Sequence, residues 1–132
     1  MTQIPMSNEQ SQTSAAAGRA HDLSERCAVF GENVIALAKR IAINPVTSSL
    51  ISQLVRSATS IGATYGEADD AESKRDFRHK VGICRKESKE CKHWLRMMGA
   101  AVPESKEDAR RLWHEAKKLN LIFGAIRRNA DK

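Results

Sequence analysis

The sequence predicts an all-α protein: an antiparallel, up-down-up-down four-helix bundle with a disordered N-terminal tail. Three observations predict it. Four stretches carry apolar residues at alternating steps of three and four, the rhythm of a helix buried along one stripe. No stretch alternates apolar and polar residues as a half-buried strand would. Breaks at Asn44-Pro45, at Asp69-Asp70 and at Gly99 to Pro103 separate the four stretches by short connections, so consecutive helices must run antiparallel. A chain of 132 residues makes one domain with a single core. The expected division is a tail over residues 1–20 and a bundle over 21–132.

The tail is rich in Ser, Gln, Thr and Ala and lacks an apolar period. The first helix is expected from about Asp22 to Ala42, with Leu23, Cys27, Phe30, Val34, Leu37 and Ile41 as its seam. Proline ends it, because Pro45 cannot continue the hydrogen-bond ladder and restricts the residue before it. The second helix is expected from Pro45 to Ser48 onward, to about Ala68. Leu50, Leu54, Ser57, Ile61 and Thr64 form its seam, and Ile51, Val55, Ala58 and Tyr65 widen it. Gly62 and Gly66 lie one turn apart, which fits either a close approach by a neighbouring backbone or a weak, kinked helix end.

The third helix is expected from Ser73 to Met98. Ser73 with Asp76 three residues on resembles a capping box. Phe77, Val81, Cys84, Ser88, Cys91, Leu95 and Met98 make the seam. The fourth opens in the same manner with Ser105 and Asp108. Its seam is Ala109, Leu112, Ala116, Leu119, Phe123 and Ile126, and Arg127, Arg128 and Lys132 crowd its C-terminal end, where cations suit the helix dipole. Trp113 and Leu121 lie off that seam, eight residues apart, and are expected to contact another copy of the chain.

Charge is the informative property. The net charge is +6, and Glu72 to Arg96 holds nine Lys/Arg against four Asp/Glu. On the third helix the outward positions are Arg75, Arg78, His79, Gly82, Arg85, Lys86, Lys89, Lys92, His93 and Arg96, with no acid among them. Asp76, Glu87 and Glu90 fall on the flanks. A merely solvated face usually mixes signs, so this one suits an anion or an acidic partner. The candidate nucleic-acid contacts are Arg75, Arg78, Arg85, Lys86, Lys89, Lys92 and Arg96. No aromatic is interleaved on that face, so base stacking and sequence specificity are not expected, and both tryptophans are assigned to packing.

Catalysis finds no support. The sequence has no glycine-rich phosphate loop, no GxSxG and no HExxH. The four histidines are dispersed. Glu90-Cys91-Lys92-His93 spells ExxH, but Glu90 and His93 lie off the seam, so no bundle metal site forms from them. The three cysteines, Cys27, Cys84 and Cys91, sit on apolar seams and read as buried, reduced thiols rather than zinc ligands. No metal and no cofactor is expected. Neither a signal peptide nor a membrane-length apolar run is visible, which favours a cytoplasmic protein with no membrane partner.

The run from Gln53 to Met98 resembles the four-helix bundle proteins known as 23S ribosomal RNA intervening-sequence proteins. The resemblance rests on Arg56, Ser57, Ser60 and Ile61, then on the small-residue stretch Gly62 to Glu67. It continues with Ala71, Glu72, Ser73, Asp76 and Phe77, and closes on Lys86, Glu87, Glu90, Trp94 and Leu95. Thr64, where the family usually carries Asn, Gly66 and Cys91 depart from its pattern. The resemblance implies a cytosolic bacterial protein that assembles as a ring-like homopentamer and has no established enzymatic activity. Some members are encoded inside intervening sequences of large-subunit ribosomal RNA genes. A related group, the accessory proteins of diversity-generating retroelements, binds nucleic acid and a reverse transcriptase.

Three functions fit these residues. The first is a homo-oligomeric accessory protein that binds RNA or DNA without sequence preference. The second is an adaptor that docks an acidic protein. The third is a structural oligomer in which the basic face pairs with Glu67, Asp69 and Asp70 of a neighbouring subunit.

Overall fold

The computed structural model describes the backbone of residues 8–130 and the side chains of residues 18–130. It contains α1 (Asn8–Lys39), α2 (Pro45–Asp69), α3 (Lys74–Ala101), a 3-10 turn (Pro103–Ser105) and α4 (Lys106–Ala130). No strand occurs among the described residues. α3 packs extensively on both α2 and α4, while α1 lies against α2 and only lightly against α4. The up-down-up-down bundle is therefore built around α3.

The expected seams are the core. Val81, Cys84, Ser88, Cys91, Leu95 and Met98 of α3 are all buried, with Phe77 half-buried at the entrance. Cys27, Phe30, Val34, Leu37 and Ile41 of α1 meet them, as do Ala109, Ala116, Leu119 and Phe123 of α4. On α2 the buried stripe lies largely within the expected one but favours its widened side. Leu54, Ser57, Ala58, Ile61, Tyr65 and Ala68 are buried, and Thr64 is only half-buried. Tyr65 takes the place given to Thr64 because its ring reaches Phe123 of α4, with centroids 5.8 Å apart and the planes tilted by 50°.

Several boundaries differ from expectation for local reasons. α1 begins at Asn8 rather than near Asp22, so residues 8–20 of the expected tail are helical, while residues 1–7 lie outside the described residues. Ala15 to Ala17 favour helix, and an extension of an already packed helix bears no nucleation cost. At the other end α1 stops at Lys39, before Ala42. Asn44-Pro45 then starts α2: the Asn44 carboxamide accepts from the amides of Val46 and Thr47, each at 2.9 Å, and Thr47 Oγ1 accepts from the Asn44 amide at 2.9 Å. That is a reciprocal cap with proline at the first helical position.

Ser73 caps α3 as expected, accepting from the Asp76 amide at 3.0 Å. Ser105 does not cap α4. It is buried in the 3-10 turn, and its hydroxyl donates back to the Val102 carbonyl at 2.8 Å. The two glycines of α2 also separate. A Cβ on Gly62 would stand 3.6 Å from the Cβ of Cys27, so α1 does approach closely there. A Cβ on Gly66 would meet nothing within 4 Å, and the helix continues past it to Asp69.

A bidentate ion pair joins α1 to α4. Arg26 donates through Nε and Nη2 to the two oxygens of Glu115 at 2.7 and 2.9 Å. The hydrogen bonds from Arg26 hold the Glu115 carboxyl below its ordinary pKa. A depressed carboxyl pKa contributes stability that is present above the unfolded value, about 4.3, and is lost as pH falls through the folded one.

Two predictions follow from this packing. Gly66→Ala raises the unfolding free energy by up to about 1 kcal/mol, because the helix gains propensity and nothing is displaced. Glu115→Gln costs about 1 kcal/mol at pH 7, since the pair is partly solvated. In denaturant titrations the difference from wild type shrinks as pH falls below about 4, and a difference unchanged at acid pH contradicts the assignment.

Candidate nucleic-acid interface

The charge on α3 is sorted by its neighbours. Arg56 of α2 donates through Nη2 to Glu90 at 2.9 Å, and its Nη1 lies 3.8 Å from Glu87. Burial pushes the Glu87 carboxyl up, the Glu90 charge adds to this, and Arg56 offsets only part of it. The contacting Glu87 oxygen is buried without a hydrogen bond, so it depends on Arg56 for charge compensation. Glu67 at the end of α2 accepts from Lys80 at 3.2 Å. On α4, Asp108 pairs with Arg40 at 3.1 Å and with Arg111, and Glu115 pairs with Arg26. Glu87, Glu90, Asp108 and Glu115 are thus drawn toward residues of other segments.

Five of the seven cations expected on that face are left without such partners among the described residues. Among the described residues Arg75, Arg85, Lys86, Lys89 and Arg96 make no ion pair, and all five are exposed. Arg78 is half-buried and engaged within the chain. Lys92 is half-buried, with its ammonium 5.5 Å from the centroid of the Trp113 ring.

α4 extends the surface in a way the sequence reading missed. Arg127 of α4 lies over Gly82 of α3, its guanidinium carbon 3.5 Å from where a Cβ would be. Arg85 of α3 lies over Gly124 of α4 in return, with Arg128 beside it. The two glycines leave room for long basic side chains across the α3–α4 groove, which joins Arg127 and Arg128 to the α3 cations. Further along, Lys106, Arg110, Trp113 and Lys117 follow one another at steps of four, three and four, so they share one face of α4. That spacing was available in the sequence as a second basic stripe, but its register against α3 was not.

Trp113 stands at the edge of this surface. It is half-buried against the core, and the Lys92 and Lys117 ammonium groups lie 5.5 and 5.7 Å from its ring centroid. The outward positions of α3 carry no aromatic, and the one beside its cations comes from α4. Antiparallel packing of α3 on α4 brings Lys92 and Trp113 together although they are far apart in sequence. Leu121, expected alongside Trp113 as an oligomer contact, is 61% exposed.

The three thiols are free and buried. Burial pushes each up to about 12. Cys91 Sγ donates to Ser57 Oγ at 3.3 Å, and Cys84 Sγ to the Ile61 carbonyl at 3.7 Å. His79 and His93 are exposed. No group of three or more His, Cys, Asp or Glu among the described residues could hold a metal ion. No helix among them is long and apolar enough to cross a membrane.

The signature residues of the sequence now have structural roles. Arg56, Glu87 and Glu90 are the α2–α3 ion cluster, Ser57 meets Cys91 in the core, and Ser73 caps α3. The family model for the 23S rRNA-intervening sequence protein matches residues 19–124, most of the chain. This chain belongs to that family. The 23S rRNA-intervening sequence protein fold is also seen in a crystal structure from Bacteroides thetaiotaomicron VPI-5482, a protein of unknown function from the S23 ribosomal protein family. That protein is 24% identical in sequence, superposes with a TM-score of 0.69, and the match covers 80% of this chain and 97% of that one. No curated protein matches the sequence. The family description names no reaction.

A thiol reagent at pH 7.5 should leave Cys27, Cys84 and Cys91 unmodified in the folded protein and label all three in denaturant. Rapid labelling of any one in the native state contradicts its burial.

Proposed function

We propose that this protein is a non-enzymatic, homo-oligomeric nucleic-acid-binding protein that neutralises phosphates with the outer face of α3. The observation that carries this reading is the separation of charge. Glu87 and Glu90 are held by Arg56, while Arg75, Arg85, Lys86, Lys89 and Arg96 stay exposed and without an ion pair among the described residues. Side chains kept out of internal pairing retain their charge for an external polyanion and release its counterions on binding. Membership in a family described by a ribosomal RNA intervening sequence is consistent with such a partner.

Self-association fits the same reading. The family resemblance favours a ring, and a homopentamer would repeat the basic face five times, giving avidity without any new contact. The exposed Leu121 is the contact residue this proposal uses. Trp113, expected beside it, is half-buried in the α3–α4 groove and suits self-association less well. The proposed location is the cytoplasm.

The test is binding of labelled RNA and DNA to the nuclease-treated protein across a salt series. Affinity should fall steeply, with a logarithmic slope of about 0.7 to 0.9 for each phosphate neutralised. Reversing Arg85, Lys89 and Lys92 together to Glu should abolish binding while leaving the helical circular dichroism intact. Binding retained by that variant removes α3 from the interface. No binding by wild type at low salt removes the nucleic-acid reading and leaves an acidic protein as the partner of the same face.

A further inference from the structure

A cavity of about 490 Å³ opens where the end of α3 meets the start of α4. Its apolar lining comes from Leu95, Gly99, Ala100 and Ala109, with Trp113 as one wall. Arg96, Lys106, Arg110 and His114 complete the lining, and no acidic residue contributes to it. The volume lies within the roughly 300–1,000 Å³ of small-ligand sites. Asp108, next to Ala109 in sequence, is engaged in its pairs with Arg40 and Arg111, and Glu115, next to His114, in its pair with Arg26. Lys92 and Lys117 do not line the cavity, but their ammonium groups lie 5.5 and 5.7 Å from the centroid of the indole that does.

Such a cavity selects for an apolar, planar group that has anions attached on more than one side. An aliphatic acid would leave the indole wall unused. A single acidic head would answer one cation, whereas Arg96 of α3 and Lys106 and Arg110 of α4 line the cavity from the two helices, and the Lys92 and Lys117 ammonium groups lie 5.5 and 5.7 Å from the indole centroid. A chain with a phosphate at every residue and a flat base between phosphates matches both parts of the site.

We propose that the cavity beside Trp113 receives one unpaired base of a single-stranded nucleic acid, with Lys92, Arg96 and Arg110 neutralising the phosphates on either side. This inference rests on the nucleic-acid reading and narrows it. The partner is a single strand, RNA or DNA, because a paired base is stacked within its duplex and does not reach the cavity. Stacking on one indole is tolerant of base identity, so strand selectivity comes without sequence selectivity.

The test uses the full-length protein at one fixed low salt concentration. The probes are labelled single strands of RNA and of DNA of about twelve nucleotides, the corresponding duplexes, and an abasic strand of equal length. The base-bearing strands should bind about tenfold more tightly than the abasic strand and the duplexes. Trp113→Ala should remove that advantage and leave duplex binding unchanged, while Trp113→Phe retains most of it. In a Trp94→Phe background the remaining indole fluorescence should be quenched by the base-bearing strands and not by the abasic one. If circular dichroism shows Trp113→Ala to be misfolded, Ala100→Phe at the exposed mouth should block the cavity to the same effect. Equal binding of base-bearing, abasic and duplex probes overturns base docking and leaves the phosphate reading standing. Absence of binding by every probe overturns both.

Discussion

Arg56 holds two carboxylates of α3 against α2, and the rest of the surface depends on that pairing. Glu90 accepts a hydrogen bond from Arg56 at 2.9 Å, and Glu87 stands 3.8 Å from it with one oxygen buried. A helix carrying nine cations and three acids over Lys74 to Arg96 could have satisfied much of its charge along its own surface. Instead the acids of its middle turns face a neighbour. Pairs of this exposure contribute little to stability. Their consequence is spatial: negative charge is fixed on one side of α3 and positive charge is left on the other.

The same division recurs around the bundle. Glu115 faces Arg26, Asp108 faces Arg40 and Arg111, and Glu67 faces Lys80. These contacts link α1 to α4 and α2 to α3. The residues that identify the 23S rRNA-intervening sequence protein family in this chain belong largely to this internal scaffold: Arg56, Ser57, Ser73, Glu87 and Glu90 hold helices together or begin them. Those residues therefore account for the architecture, and the outward cations need a separate physical argument.

The α3–α4 groove supplies that argument. Gly82 and Gly124 admit arginines from the facing helix, and Gly99 lies within van der Waals reach of Lys106, where the two helices come together below the Trp113 cavity. Small residues at these points let long cationic side chains lie across the groove rather than project singly into solvent. Their apolar stems gain contact while their charged ends stay wet. The surface that results is wider than α3 alone and has an aromatic group at its edge.

The sequence by itself determined the four helices, the seams of α1, α3 and α4, the burial of the three cysteines and the bare positive stripe of α3. Each is a matter of periodicity along one helix, and a helix places residues three and four apart on one face wherever it packs. The tertiary structure alone decided that Tyr65, at the margin of the expected α2 stripe, is buried more deeply than Thr64, because its ring meets Phe123 on another helix. It also decided the start of α1, where no apolar period marks the boundary, and the use of Ser105, whose hydroxyl is claimed by the 3-10 turn. Above all it set the register of α4 against α3, which brings Trp113 to Lys92 and Arg127 to Gly82. That register depends on packing between surfaces distant along the chain, and no pattern within a single helix encodes it.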